Sequence, residues 1–274
     1  MMIDYKLARS RYDEKTGLFV PNGDNGGAFA EFSPAYLVSN EDLRSAMNML
    51  QPHGADVLTV AGSGDQPIFY KLYGANNVDT FDISYVAKVM MDVKTAAIQK
   101  LNNGQYRQML DGINTARGIA DVPEYKTIQS ICPVDSQEFI RKMHGVEYYL
   151  RGGLWSDSAP FASEYDVLKK SVNGNFNFIW TDLDNLAGRL NKKYDQMYLS
   201  NILQYGCSVR RVSRITNDLA DCLKPHGQIM LQVSPYFVWD ELRVYEQLGR
   251  AMSKWANVRM VQSKTQCMCV LRKL

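Results

Sequence analysis

The chain has few of the side chains that typically hold zinc or form disulfides. Its 274 residues include only three histidines, which are widely separated, and neither an HExxH nor a CxxC motif occurs. We therefore expect no metal site. The five cysteines are an odd number, and the N-terminus lacks a secretory signal. This combination predicts reduced thiols and a cytoplasmic location.

Long apolar runs and an excess of one charge are also missing. No window approaches the roughly 18 consecutive apolar residues of a transmembrane helix, so we expect no transmembrane segment. The chain has 31 basic and 29 acidic residues, a formal charge of +2. Proteins that bind nucleic acid by neutralising phosphates usually show a clear basic excess. The composition therefore gives no clear sign of a nucleic-acid partner.

Strand and helix patterns alternate along most of the chain. Short segments at residues 57–60, 77–81, 176–180, 196–199 and 228–233, most of them rich in apolar residues, predict strands, and the periodic segments between them predict helices. Several of these runs are apolar on both faces. That pattern is typical of a mostly parallel sheet with helices on both faces.

Two more strands, at residues 258–261 and 267–271, close the chain and are joined by a short polar connection. They predict an antiparallel C-terminal hairpin at one edge of the sheet. We therefore expect a single α/β domain over residues 1–274. Within it, residues 1–40 are predicted to form an irregular arm, and residues 104–175 a mainly helical insertion.

A glycine-containing loop follows the first buried strand. Gly62 and Gly64 lie there, and Pro67 is expected to be the first residue of the next helix. Glycine lets the backbone approach a ligand, and helix N–H groups point into the crevice. Asp82 comes twenty positions after Gly62, at the end of the next strand. A carboxylate there can accept hydrogen bonds from ribose hydroxyls.

Two cofactor classes share this layout, and the loop favours one of them. A dinucleotide needs a third glycine, where this chain has Pro67. Asp65 would repel a pyrophosphate in a low-dielectric cleft, whereas it would attract the ammonium and sulfonium groups of S-adenosylmethionine. We therefore expect S-adenosylmethionine. The residues expected around it are Ala61, Gly62, Ser63, Gly64, Asp65, Gln66, Asp82 and Ile83.

Polar residues also follow two later strands. Asp182, beside Leu183, is placed to accept a hydrogen bond from the adenine amino group. The alternative is a helix N-cap, a role that we expect for Asp184. Ser200 and Asn201 are the catalytic candidates, since they either orient the substrate near the sulfonium or cap the next helix.

These features carry a resemblance to a known fold and family. From about residue 43 to residue 274 the chain resembles the class I S-adenosylmethionine-dependent methyltransferase fold. It is similar, within that class, to the betaine-lipid synthase type of aminocarboxypropyl transferases and their uncharacterised relatives. The similar residues are 61–66, 82–84 and 92–98, with Gln66 where that family tends to have Asn. The resemblance implies a Rossmann-like sheet and S-adenosylmethionine as cofactor. It also includes Lys94, which by itself is predicted to be a solvated surface lysine.

Several functions remain open at this point. The leading one is a methyltransferase that acts on a small-molecule or lipid acceptor. The alternatives are a 3-amino-3-carboxypropyl transferase that uses the same cofactor, and a non-catalytic protein that binds or senses S-adenosylmethionine. A nicotinamide-dependent oxidoreductase is disfavoured by the loop and by the lack of a convincing Tyr-x-x-x-Lys pair.

Overall fold

The computed structural model describes residues 12–13, 18–19, 35–115, 118–142, 149–150, 162–202, 209–233, 255–262 and 267–274. The strands of this part, β1 to β11 in chain order, are Tyr12–Asp13, Leu18–Phe19, Ala35–Tyr36, Asp56–Val60, Asn77–Asp82, Tyr149–Leu150, Asn177–Trp180, Tyr194–Tyr198, Leu223–Val233, Trp255–Gln262 and Cys267–Lys273. The α-helices, α1 to α9, are Leu43–Leu50, Asp65–Leu72, Tyr85–Lys100, Asn103–Thr115, Pro123–Ile128, Val134–Lys142, Ala162–Ser171, Leu186–Arg189 and Val209–Ala220. Two short 3₁₀ helices are Ile119–Asp121 and Gln129–Ile131.

Seven of the strands form one sheet, in the order β10-β11-β9-β8-β4-β5-β7. Neighbouring strands from β9 to β7 in that order are parallel. Strand β11 is antiparallel to both β9 and β10. The predicted fold class is confirmed: the sheet is mostly parallel, has an antiparallel C-terminal hairpin and carries helices on both faces.

The order of the strands reverses next to β4. The chain runs from β4 outwards to β5 and β7, and then returns to β8 on the other side of β4. In open α/β sheets, ligands bind in the crevice outside the carboxyl ends of the strands at such a reversal. We call the space beyond the carboxyl ends of β4, β5 and β8 the crevice.

Strand β4 is buried on both faces, as its apolar sequence predicts. Leu58 packs in a cluster with Ile215 of α9, whereas Val57 packs on the other face with Met47 of α1 and Phe69 of α2. Burying each such side chain contributes about 1.5–3 kcal/mol to the free energy of folding. This packing on both faces holds β4 in place, and with it the start of the loop that follows β4.

Helix α2 begins earlier than its proline suggests. Its first residue is Asp65 and its N-cap is Gly64, so Pro67 is the third helical residue and not the first. The N–H groups of the first turn of a helix have no partner within the helix. Proline is therefore tolerated there, and it does not mark the start of the helix.

Helices α4 to α7 lie within residues 104–175 or just overlap their start, and partly buried polar contacts attach α6 and α7 to the rest of the chain. On α3, Lys88 donates to Asp92 at 2.7 Å and forms an ion pair with Asp135 of α6 at 3.0 Å. On α1, Arg44 forms two hydrogen bonds with Glu164 of α7, at 2.5 and 2.8 Å. That residues 104–175 are an insertion into the domain remains a prediction. Most of the predicted arm, residues 1–40, lies outside the described residues.

Candidate functional site

The turn between β4 and α2 depends on two glycines with positive φ. The N–H of Gly64 donates to the carbonyl oxygen of Ala61 at 2.7 Å. The φ angles are 52° at Gly62 and 84° at Gly64. A Cβ atom on Gly64 would lie 2.7 Å from the Cα of Met91 in α3, which leaves no room for a side chain. Glycine is needed here both for the backbone conformation and for the close packing of the turn on α3.

Asp82, the last residue of β5, lies beside this turn. Its carboxylate accepts the N–H of Gly62 at 3.0 Å and the N–H of Ser84 at 2.9 Å. The residue keeps some exposure to solvent, but burial of its carboxylate raises the pKa of Asp82 to about 6, against the effect of these N–H groups. The backbone N–H of Ile83 bonds to the same carboxylate. A carboxylate offers about four lone-pair positions, so acceptor capacity remains for a hydroxyl group of a ligand.

Strand β7 brings its carboxyl end next to Asp82. The N–H of Thr181 donates to the carbonyl oxygen of Asp82 at 3.1 Å. The indole N–H of Trp180, which is 38% exposed, donates to the carbonyl oxygen of Ile83 at 2.9 Å. Leu183 packs partly buried against the core on the α9 side. The structure therefore brings Ile83 and the residues after β7 to the same end of the crevice as Asp82.

The two acidic residues after β7 have different partners. Asp182 accepts the backbone N–H of Asn185 at 2.8 Å and its side-chain amide at 2.9 Å. Asp184 forms ion pairs with Arg211 and Arg214 of α9, and the hydrogen bond from Arg211 lowers the pKa of Asp184. The N-cap of α8 is Asn185. The predicted cap role of Asp184 is therefore wrong, because its carboxylate is directed at two arginines of another helix.

Asp65 does not face the crevice with a free negative charge. Its carboxylate is 2.6 Å from the ammonium nitrogen of Lys94, which is fully buried. Its other oxygen accepts the N–H of Ser39 at 2.7 Å and the hydroxyl of Ser63 at 2.8 Å. Burial lowers the pKa of Lys94, and Asp65 opposes that shift. Two expectations are corrected: Lys94 is not a solvated lysine, and Asp65 neutralises Lys94 and does not attract a ligand cation.

Three N–H groups of the turn already have acceptors within the protein. Gly62 donates to Asp82, Gly64 donates to Ala61, and the N–H of Asp65 donates to the hydroxyl of Ser63 at 3.3 Å. Glycine turns that bind a pyrophosphate do so with such N–H groups. This hydrogen bonding replaces the charge of Asp65 as the physical reason against a dinucleotide.

A buried acidic group lies on the β8 side of the turn. The carboxylate of Glu41, 3% exposed, accepts the hydroxyl of Ser200, the side-chain amide of Gln66 at 3.1 Å and the hydroxyl of Tyr198 at 2.9 Å. The backbone N–H of Asn201 bonds to the same carboxylate. Burial raises the pKa of Glu41, and these hydrogen bonds counteract the shift.

The two catalytic candidates belong to this group. Ser200 is buried and has a φ of 56°, which is unusual for a residue with a side chain. Its hydroxyl donates to Glu41 and lies 3.4 Å from the side-chain oxygen of Asn201, which is partly exposed. The hydroxyl of Ser200 thus donates to Glu41. Residues 203–208, where the helix that it was alternatively predicted to cap would begin, lie outside the described residues. Asn201 is the member that reaches towards solvent.

Sequence patterns did not single out Glu41 or Tyr198. Glu41 precedes α1 in a segment without periodicity, and Tyr198 is the last residue of an otherwise apolar strand. They come together because Glu41, in the segment before α1, contacts residues at the carboxyl end of β8, which lies next to β4 in the sheet. The burial of Lys94 could have been predicted from the sequence, since it lies four residues from Met90 and from Ile98, which are buried on α3.

No protein-family model matches the chain, and no curated protein matches it by sequence. Among solved structures, it is similar to magnesium protoporphyrin IX methyltransferase from Synechocystis PCC 6803 with bound SAM. That match has 13% identity and a TM-score of 0.42 and covers 85% of this chain and 78% of the other.

It is also similar to the N-methyltransferase NodS from Bradyrhizobium japonicum WM9, in complex with S-adenosyl-L-homocysteine, at 9% identity with a TM-score of 0.42, over 86% of this chain and 89% of that one. An rRNA methylase from Streptococcus thermophilus matches at 11% identity with a TM-score of 0.43, over 86% and 98% of the two chains. Likenesses this distant assign no function to the chain.

Within the residues that the structure describes, no helix is both long enough and apolar enough to cross a membrane. Nor do three or more His, Cys, Asp or Glu side chains in this part of the chain come together in a group that could hold a metal ion.

Proposed function

We propose that the chain is an S-adenosylmethionine-dependent transferase, and that it moves a methyl group to a small-molecule or lipid acceptor. The observation that carries this proposal is the Asp82 carboxylate beside the glycine turn. It keeps acceptor capacity for a ribose hydroxyl, while the N–H groups of Gly62 and Gly64 in the turn are occupied. These features suit a cofactor with a ribose and no pyrophosphate.

The proposed cofactor site follows the crevice from β7 to β4. Asp82 would accept the ribose hydroxyls, and Ile83 and Leu183 would contact the adenine ring. Asp182 would accept the adenine amino group with the lone pairs that Asn185 leaves free. The turn would approach the rest of the cofactor with its backbone, at Ala61, Gly62, Ser63, Gly64, Asp65 and Gln66.

The cofactor supplies an activated carbon, because its sulfonium is a good leaving group. The task of the protein is then to hold the acceptor in line with that carbon and to exclude water. We place Ser200 and Asn201 next to the acceptor, since Asn201 reaches towards solvent at the β8 side of the crevice. The five cysteines support a cytoplasmic location for this reaction.

Isothermal titration calorimetry with S-adenosylmethionine and with NAD⁺ tests the cofactor class. We expect saturable binding of S-adenosylmethionine with a 1:1 stoichiometry and no binding of NAD⁺. Binding of NAD⁺ alone would overturn the proposal. The products of turnover then separate the two transfers. A methyltransferase releases S-adenosylhomocysteine, whereas an aminocarboxypropyl transferase releases methylthioadenosine.

A further inference from the structure

We propose that Glu41 and Gln66 form a site for the α-ammonium group at the amino-acid end of the cofactor. The inference rests on the proposed function, which it deepens by naming the residues that recognise one end of the ligand. Neither the turn nor the acidic end of β5 includes Glu41, which lies just before α1.

A buried oxygen of Gln66 lacks a donor. The side chain is 4% exposed, and its Oε1 has no hydrogen-bond partner among the described residues. The other end of the amide donates to Glu41 at 3.1 Å. That bond fixes the orientation of the amide, because the reverse orientation would place two oxygens against each other. Buried polar atoms are rarely left without a partner, so a donor from a ligand is expected at this oxygen.

The position of this oxygen relative to the turn suits one end of an extended ligand. Gln66 Oε1 lies 3.0 Å from the place that a Cβ atom on Gly62 would occupy. The N–H of the same glycine donates to Asp82. Strands β5 and β8 flank β4 on opposite sides, so Asp82 and the Glu41 group lie on either side of the turn. A ligand with its ribose at Asp82 would cross Gly62 and reach Gln66.

The chemistry of the group selects a cation that carries N–H donors. Gln66 Oε1 and the side-chain oxygen of Asn201 are acceptors. The Glu41 carboxylate, whose oxygens already accept four donors of the protein, adds a negative charge beside them. A carboxylate or phosphate bound at Gln66 Oε1 would be repelled by the negative charge of Glu41. The sulfonium of the cofactor is positive but has no hydrogen to donate. The α-ammonium has three, and charge-assisted hydrogen bonds are the strong ones.

The test compares two ligands that differ only in the amino group. S-adenosylhomocysteine carries the α-ammonium and a neutral sulfur, and its deamino analogue has hydrogen in place of the amino group. With the wild-type chain we expect calorimetry to give an affinity for S-adenosylhomocysteine that is higher by about tenfold or more. Equal affinities would overturn the ammonium site and leave the cofactor class standing.

Two substitutions locate the effect. Glu41→Gln should weaken S-adenosylhomocysteine about tenfold and leave the deamino analogue within about twofold. Gln66→Met keeps the length of the side chain and removes Oε1, and it should shift the affinities in the same direction. It also preserves the test if Glu41→Gln does not fold, which circular dichroism would show. Equal weakening of both ligands would mean a merely structural role and would overturn the inference.

Glu138→Gln is the matched control. It removes one carboxylate from α6, where Glu138 pairs with Lys142 at 2.8 Å on a partly exposed face. Neither ligand should change its affinity in this variant. If the folded wild-type chain binds neither ligand, the proposed function fails together with this inference. If the wild-type chain binds both ligands with different affinities and the Glu41→Gln variant binds them equally, the proposed function stands and the ammonium site is supported.

Discussion

The amino and carboxyl ends of the strands both carry acidic side chains, but the partners of these side chains differ. Towards the amino ends, Lys224 lies 2.8 Å from both Asp56 and Asp195, and Lys192 lies 2.9 Å from Asp79. At the carboxyl ends, Asp82 receives backbone N–H groups. Lysines thus bridge strands at one edge, whereas neutral donors hold a carboxylate in place at the other.

The pKa of Asp56 at the amino edge and the pKa values of Asp82 and Glu41 at the crevice shift in opposite directions. The hydrogen bond from Lys224 lowers the pKa of Asp56. Burial raises the pKa of Asp82 to about 6, and burial also raises the pKa of Glu41. The acids at the amino edge are therefore arranged for stability. Those at the crevice are kept in surroundings that cost stability when they ionise, which is typical of binding and catalytic sites.

The largest expected difference is between two lysines. Lys94 is fully buried against Asp65, whereas the Lys224 side chain is 38% exposed. Lys94→Met would leave Asp65 as a buried charge without its cation and should lower the free energy of unfolding by about 3–5 kcal/mol. Lys224→Met should lower it by about 1 kcal/mol or less. Urea unfolding measures both, and equal losses would contradict the distinction.

Two glycines with positive φ give the next largest difference. Gly64, beside the crevice, has the Cα of Met91 at 2.7 Å from its would-be Cβ, whereas Gly54, before β4, has no atom within 4 Å. Gly64→Ala should destabilise the chain by about 2–4 kcal/mol, since backbone strain and overpacking add. Gly54→Ala carries only the strain, about 1–2 kcal/mol. Chemical denaturation measures the free energy of unfolding of both variants, and similar losses would contradict this ranking.

Ligand binding should separate Asp82 from Asp56. Asp82→Ala should weaken S-adenosylmethionine by about 1–3 kcal/mol, because hydrogen bonds from the ribose to a charged acceptor are lost. Asp56→Ala removes a carboxylate from the other edge and should leave the affinity unchanged. Calorimetry of the two variants makes the comparison. An unchanged affinity in Asp82→Ala would show that the ribose lies elsewhere.

The smallest expected effect is a pH dependence. The pKa of Asp82 is about 6, so its carboxylate is ionised at pH 7.5 and mostly protonated at pH 5.5. A protonated carboxyl has lost its negative charge and is a weaker acceptor for a ribose hydroxyl. The affinity for S-adenosylmethionine should therefore fall about fourfold from pH 7.5 to pH 5.5.

Two variants identify the group that titrates. Asp82→Asn should bind more weakly and lose most of this pH dependence, and any slope that remains would come from Glu41, whose pKa is also raised. Asp56→Asn should keep the slope of the wild type, since the pKa of Asp56 is lowered. A full slope in Asp82→Asn would assign the titration to another group.

The fold was predictable to the level of a mostly parallel sheet with an antiparallel C-terminal hairpin, because the spacing of apolar segments reports burial; the order of the strands was not predicted. The site was predictable only in part. The distance between Gly62 and Asp82 along the chain anticipated their contact, since both follow adjacent parallel strands. The role of Asp65 was misread because a motif shows where a charge lies along the chain and not which charge is packed against it.

The sequence by itself determined the alternation of strands and helices, the glycine turn and its acidic neighbour. These depend on local backbone preferences and on burial, which a single segment expresses. Only the tertiary structure decided that Lys94 neutralises Asp65, and that Glu41 reaches Ser200 across 159 residues of chain. Such contacts join segments that are distant in sequence, and their energies depend on the exclusion of water by everything packed around them.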